Sequence, residues 1–156
     1  TGMIDLVYEL WKHQMIDEHG TYSDLYFDTG YELAGKVKFT QNDIREIQMA
    51  KAAIRAGVDI LVKKAGIAFD EVDDCYLAGG FGTKIDITKA AGIGLIPKEL
   101  EMKTIPVGNT VLAGTKEVLL GRISKDELEK IQTMADVINL AEENDFEELY
   151  LSYMDF

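Results

Sequence analysis

The chain has 156 residues, a formal net charge of −12 at pH 7, and 47% hydrophobic and 28% charged residues. This composition fits one globular domain, and the negative charge argues against nucleic acid, whose binding proteins carry basic patches. The single cysteine, Cys75, excludes an internal disulfide and any four-cysteine metal or iron–sulfur site within the chain.

The first predicted element is a helix that begins almost at once and ends at Gly20. Apolar residues recur in it at helical spacing, at Ile4, Val7, Leu10, Trp11 and Met15. Because the chain opens on Thr1 rather than on a methionine, we expect a piece of a longer protein. Residues 20–35 predict a loop with one short strand at Leu25–Phe27, and Gly35–Phe39 predicts another strand.

The strongest helix prediction starts after Thr40. Thr40 and Asp43 have the spacing of a capping box, and Gly66 suits the left-handed residue that follows a helix end. One apolar face is expected to contain Ile44, Ile47, Ala50, Ile54, Val58, Leu61 and Ala65.

Strands and helices alternate in the rest of the chain. The predicted strands are Val72–Ala78, Lys103–Val107 and Val137–Leu140. The predicted helices cover Lys89–Gly94, Thr110–Leu120, a segment from a Ser124/Glu127 capping box to Ala135, and a last helix from Asp145. This order predicts an α/β domain whose strands are at least partly parallel.

A glycine cluster, Gly79-Gly80-Phe81-Gly82, directly follows the strand that ends at Ala78. Ligands of open α/β sheets bind beyond the carboxyl ends of strands, and glycine lets the backbone approach them closely. Gly108-Asn109 repeats the pattern after the next strand, so the two turns are expected to line one crevice. A tight turn without a ligand explains each motif equally well, and neither matches a P-loop.

Three polar residues of the long helix, Gln48, Lys51 and Arg55, share a face. Lys51 and Arg55 are candidates to flank a purine or an anion, and a solvated basic stripe is the alternative. Thr1 and Gly2 precede a helix, whose free amides can receive a phosphate; a simple N-cap is the alternative. The acidic residues near the C-terminus form either a solvated helix face or a docking surface for a basic partner.

Several segments resemble the reductive activators of corrinoid enzymes. They are residues 40–57, Tyr76-Leu77-Ala78-Gly79-Gly80-Phe81-Gly82, Ile93-Gly94-Leu95-Ile96-Pro97, Val107-Gly108-Asn109 with Leu112-Ala113-Gly114, and the tail from Asp145 to Phe156. They follow one another in the family's order over nearly the whole chain.

The resemblance implies part of an actin-like (ribonuclease H-like) ATPase domain, with a mixed sheet and flanking helices. It implies that residues 1–156 are a single domain, the C-terminal half of that ATPase domain, cut from a longer iron–sulfur protein. Such proteins use ATP and Mg²⁺ to drive the reduction of cob(II)alamin to cob(I)alamin on a corrinoid protein of a methyltransferase system, as in O-demethylation. A [2Fe–2S] cluster belongs to the full-length protein only.

By resemblance, Gly79, Gly80, Phe81 and Gly82 form the adenosine motif. Gln48, Lys51 and Arg55 match the helix that lines the adenine pocket, and Thr1-Gly2 is similar to the end of a second phosphate loop. The family's first phosphate loop is absent, so the chain holds an incomplete ATP site, no catalytic residue and no metal ligand.

Two alternatives stay open. One is a non-catalytic module that forms a homodimer or docks the corrinoid protein. The other is part of a different actin-like ATPase, a sugar kinase or an acyl-CoA dehydratase activator. The expected partners are the corrinoid protein and an electron donor, with no nucleic acid and no membrane. Because no secretory signal or membrane-length apolar run is visible, we expect a cytoplasmic protein.

Overall fold

A computed structural model describes residues 2–80 and 83–156, and it has the α/β character that the sequence predicts. In chain order, the helices and strands are α1 (Gly2–Lys12), α2 (Asp24–Phe27), β1 (Tyr31–Ala34), β2 (Val37–Phe39), α3 (Gln41–Ala65), β3 (Cys75–Ala78), α4 (Ile87–Gly92), β4 (Thr104–Gly108), α5 (Thr110–Leu119), α6 (Lys125–Met134) and α7 (Phe146–Ser152). Short 3₁₀ turns cover Phe69–Glu71, Lys98–Lys103 and Leu140–Glu142.

Helix α1 buries Ile4, Val7 and Leu10 as its spacing predicts, but it is shorter than expected. It ends at Lys12 rather than near Gly20. Gln14 adopts a positive φ of 57°, which breaks the helical path. The chain then turns back on itself, and Ile16 forms an antiparallel bridge with a residue six positions later.

The region between α1 and α3 differs most from the sequence prediction. Leu25–Phe27, predicted as a strand, lies within the short helix α2. The strand at Tyr31–Ala34 was not predicted, and it pairs antiparallel with β2. Gly35, with φ of 59°, turns the hairpin between them. A three-residue apolar segment carries no period that separates helix from strand, so the local pattern could not decide.

Both ends of α3 are as predicted. The Thr40 side chain accepts from the amide of Asp43, the Asp43 carboxylate accepts from the amide of Thr40, and Gly66 ends the helix with φ of 69°. The buried face is rotated from the predicted apolar stripe. Ile54 and Leu61 are 51% and 54% exposed, whereas buried positions include the polar Gln48 and Lys51.

Strands β3 and β4 pair in parallel, so the four strands form two separate two-stranded sheets among the described residues. The third predicted strand, Val137–Leu140, does not form, and Val137 is 95% exposed. Helices α5 and α6 lie close to their predicted bounds, and the Ser124/Glu127 capping box is confirmed. Neither helix buries a residue.

The main hydrophobic core joins α1, the residues around the β1–β2 hairpin, the start of α3, and the segment from α4 to Leu100. Its members are contributed by elements far apart in sequence, which fixes α1 against α4 and α3. Among the described helices, none is long and apolar enough to cross a membrane.

Candidate functional site

The two glycine turns lie together at one edge of the parallel strand pair. Ala78 and Gly108, the last residues of β3 and β4, are in register. The amide of Gly79 donates to the carbonyl of Gly108 at 2.7 Å. Because parallel strands end at the same edge of a sheet, the two glycine turns lie side by side, as a shared crevice requires.

Gly79 and Gly80 have different structural roles in this turn. Gly79 has a φ of 88°, a conformation that other residues rarely adopt. Gly80 has no positive φ, and a Cβ built on it meets no atom of the described residues within 4 Å. Its carbonyl accepts from the Thr83 hydroxyl at 2.9 Å, which ties the turn down. Among the described residues, none fills the space on the Cα side of Gly80.

Phe81 and Gly82, the other two members of the predicted adenosine motif, lie outside the described residues. So does Thr1.

A cavity of about 430 Å³ lies beside the carboxyl end of β3. Its walls come from the start of α1, one face of α3, strand β3 and the segment 95–104. The lining residues are Met3, Ile4, Glu46, Ile47, Ala50, Lys51, Ile54, Val58, Cys75, Leu77, Ala78, Ile85, Leu95, Ile96, Pro97, Leu100 and Thr104. Its volume is within the range of small-molecule sites, and its walls are almost wholly apolar.

Of the predicted helix residues, Lys51 lines this cavity, and Gln48 and Arg55 do not. Gly2 precedes two lining residues, so the start of α1 reaches the cavity. Cys75 is half-buried and also lines the cavity. The structure thus brings Lys51, the start of α1 and the end of β3 together.

Lys51 is 2% exposed. Its Nζ donates to the carbonyl of Tyr153 at 2.7 Å and to the carbonyl of Asp155, and it lies 5.1 Å from the centre of the Phe156 ring. Burial lowers the pKa of Lys51 to about 8; the nearby Asp155 carboxylate opposes this shift and Arg55 adds to it. A solvated basic stripe, the alternative from the sequence, is wrong for this residue.

Gln48 is fully buried, and each of its amide atoms has a partner. Its Nε2 donates to the carbonyls of His19 and Met154, at 3.0 and 2.9 Å, and its Oε1 accepts from Arg45 at 2.7 Å. Gly20 has to be a glycine beside it, because a Cβ there would lie 2.6 Å from the amide nitrogen of Gln48.

Arg55 is held by a carboxylate and by aromatic rings. Its Nε donates to Asp59 at 2.9 Å, and its guanidinium lies 4.7 Å from the centre of the Tyr153 ring and 5.7 Å from that of Phe69. All three predicted helix residues therefore contact residues 153–156, which we call the C-terminal tail. Nucleotide contact by these side chains stays a prediction.

No local pattern in the sequence indicates the C-terminal tail as their partner, because the bonds from Lys51 to it join residues more than a hundred positions apart. The acidic surface near the C-terminus is also partly paired. Lys63 and Lys64, at the end of α3, form ion pairs with Asp145 and Glu143. Among the described residues, no three His, Cys, Asp or Glu side chains are grouped to hold a metal ion.

Comparison with known proteins gives one consistent result. A family described as the C-terminal domain of RACo, the ASKHA domain, matches residues 1–156. The corrinoid activation enzyme RamQ of Eubacterium limosum is 34% identical over 112 residues, which are 72% of this chain and 19% of that protein. The [Co(II) methylated amine-specific corrinoid protein] reductase of Methanosarcina barkeri is 28% identical over 122 residues, 77% of this chain and 22% of that protein.

A solved structure shows the same similarity. The reductive activator for corrinoid, iron–sulfur protein superimposes with a TM-score of 0.79 at 25% identity, over 99% of this chain and 27% of that one. The chain thus spans about a fifth to a quarter of the length of these relatives. The match along the whole chain confirms the actin-like fold that the sequence resemblance implied.

Proposed function

The chain belongs to the family of C-terminal ASKHA domains of RACo, and we propose that it is the nucleotide-binding portion of an ATP-dependent reductive activator. The full-length protein would return cob(II)alamin to cob(I)alamin on a corrinoid protein of a methyltransferase system. RamQ and the Methanosarcina barkeri reductase carry corrinoid activation or reduction in their names, which supports this assignment.

The observation that carries the proposal is the pairing of the two glycine turns at one edge of β3 and β4. The Gly79–Gly108 hydrogen bond of 2.7 Å holds the turns together, and the open space beside Gly80 leaves its backbone accessible. Ligands of α/β sheets bind at this edge of the strands. A cavity next to the turn supplies apolar walls of the kind that a nucleobase can pack against.

The residues present fit the adenosine end of ATP. We propose that the backbone of Gly79 and Gly80 borders the ribose, that Lys51 supplies positive charge, and that Gly2 at the start of α1 lies near the phosphates. Gln48, Lys51 and Arg55 reach a nucleotide only if the C-terminal tail moves, because the tail holds the polar end of each side chain. Hydrolysis of ATP supplies the free energy for an otherwise unfavourable electron transfer.

We also propose that the rest of the site lies elsewhere in a longer protein. The relatives are four to five times longer than the matched segments, since those cover 19% and 22% of their length. Cys75 alone cannot hold a [2Fe–2S] cluster, which needs four ligands. The first phosphate loop, the Mg²⁺ ligands and the cluster are therefore expected outside these 156 residues.

Spectroscopy of the corrinoid protein tests the function. Full-length protein, electron donor and corrinoid protein are mixed, and the conversion of cob(II)alamin to cob(I)alamin is followed by visible absorption. We expect conversion with ATP and Mg²⁺ and none with ADP or without nucleotide. Equal conversion without ATP contradicts the proposal. Sugar-dependent ATP turnover without corrinoid reduction would favour the sugar-kinase alternative.

A further inference from the structure

Two side chains of α3 bind three successive carbonyls of the C-terminal tail. Lys51 Nζ donates to the carbonyls of Tyr153 and Asp155, and Gln48 Nε2 donates to the carbonyl of Met154 at 2.9 Å. The ring of Phe156 lies near the same ammonium group. Because Gln48 and Lys51 are buried, these bonds are shielded from water.

The tail also contacts the loop between α1 and α2 on its other side. The amide of Phe156 donates to the carbonyl of Glu18 at 2.8 Å, and His19 Nδ1 lies 3.0 Å from the carboxylate of Asp155. The tail is therefore clamped between this loop and α3. Apart from Phe156, which packs at the margin of the hydrophobic core, its contacts are polar bonds and ring faces, and only residues 153–156 have to leave their places for the tail to detach.

Lys51 belongs both to this clamp and to the cavity beside β3. It lines the cavity, and its Nζ lies 3.6 Å from the position that a Cβ of Gly94 would take. Among the described residues that line the cavity, Lys51 is the one cation and Glu46 the one carboxylate. The ammonium of Lys51 is bonded to neutral carbonyls of the tail, so an anionic ligand of the cavity gains it only when those bonds break. A charge-assisted bond to an anion is stronger than a bond to a carbonyl.

We infer that the C-terminal tail is an intramolecular latch that competes with the nucleotide for Lys51. This inference rests on the proposed function, since it takes the anionic ligand of the cavity to be ATP. When the tail is docked, Lys51 is withheld from the nucleotide; when ATP binds, the tail is released. If the tail is docked about nine-tenths of the time, the observed affinity for ATP is about tenfold below the intrinsic one.

Deletion of residues 153–156 from the full-length protein tests the latch. We expect the deletion to tighten ATP binding about tenfold, measured by calorimetry. Phe156→Ala is a milder variant that removes the ring over Lys51 and keeps the carbonyls, and it should tighten binding by a smaller factor. Leu151→Ala is the matched control, because this α7 side chain is 62% exposed, and its affinity should equal that of the wild type.

Hydrogen exchange supplies an independent measurement on the unmodified protein. The amide of Phe156, bonded to Glu18, should be protected without nucleotide and should exchange faster when ATP is bound. Unchanged or weaker ATP affinity in both tail variants overturns the latch, as does a Phe156 amide that ATP leaves equally protected. If neither the wild type nor the deletion binds ATP, the proposed function itself fails.

Discussion

The Gly80→Val variant tests whether Gly80 contributes to ligand binding or only to the fold. A Cβ on Gly80 meets no atom of the described residues within 4 Å, and the residue does not need a positive φ, so we expect the fold to tolerate a side chain there. The structure shows a left-handed conformation one residue earlier, at Gly79, with φ of 88°. Gly79→Ala is therefore the matched structural control.

The two variants should affect different quantities, the free energy of unfolding in Gly79→Ala and the ATP affinity in Gly80→Val. Gly79→Ala places a Cβ in a left-handed conformation, which lowers the free energy of unfolding by about 1–2 kcal/mol. Gly80→Val should change that free energy by less than about 0.5 kcal/mol, as surface substitutions usually do. If the Gly80 backbone borders the ribose, the valine methyl groups occupy the ligand's space, and we expect at least a tenfold loss of ATP affinity, about 1.4 kcal/mol.

Denaturant unfolding and ATP calorimetry on the full-length protein measure both effects. The expected pattern is a stable Gly80→Val protein that binds ATP poorly and a Gly79→Ala protein with lower stability. Wild-type ATP affinity in Gly80→Val would refute the reasoning, because it would make the open space beside Gly80 irrelevant to the ligand. A Gly80→Val protein that unfolds like Gly79→Ala would instead show that the loop is a structural turn.

Further predictions concern stability and turnover. Lys51→Met should lower the free energy of unfolding by about 0.5–1.5 kcal/mol, because two tail carbonyls lose a donor. Burial lowers the pKa of Lys51 from 10.5 to about 8, so between these pH values the unfolded chain binds more protons than the folded one. The free energy of unfolding of the wild type should therefore rise with pH in this range, and Lys51→Met should lack that rise. Gly92→Ala should destabilise the protein by about 1–3 kcal/mol in thermal unfolding, because its Cβ would lie 2.5 Å from the Tyr8 ring. Gly114→Ala in α5 should instead stabilise it by about 0.5–1 kcal/mol, because a Cβ there has no described atom within 4 Å. The 156-residue chain alone should show negligible Mg²⁺-dependent ATP turnover in a phosphate-release assay, and robust turnover would contradict the incomplete site.

Local chemistry let the sequence predict the elements that carry their own end signals. Helix α3 begins at the Thr40/Asp43 box and ends at Gly66 as predicted, because capping depends on side chains within four residues. The glycine turns after β3 and β4 were predicted for the same reason, since strand ends and turn residues are adjacent in sequence. The Leu25–Phe27 and Val137–Leu140 predictions were wrong, because short apolar segments take helix, strand or extended form according to what packs against them.

The family resemblance, and with it the actin-like fold, was determined by the order of motifs along the sequence and is confirmed by the comparison over the whole chain. Which face of α3 is buried, and what covers Lys51, was decided only by the tertiary structure. The spacing of apolar residues predicts which face of a helix is buried, and in α3 Gln48 and Lys51 lie off the face that it predicts. The C-terminal tail supplies carbonyls that satisfy both side chains, and a buried polar group is tolerated once its hydrogen bonds are made. Local spacing rules compare residues a few positions apart, so they cannot identify a hydrogen-bond partner a hundred residues away.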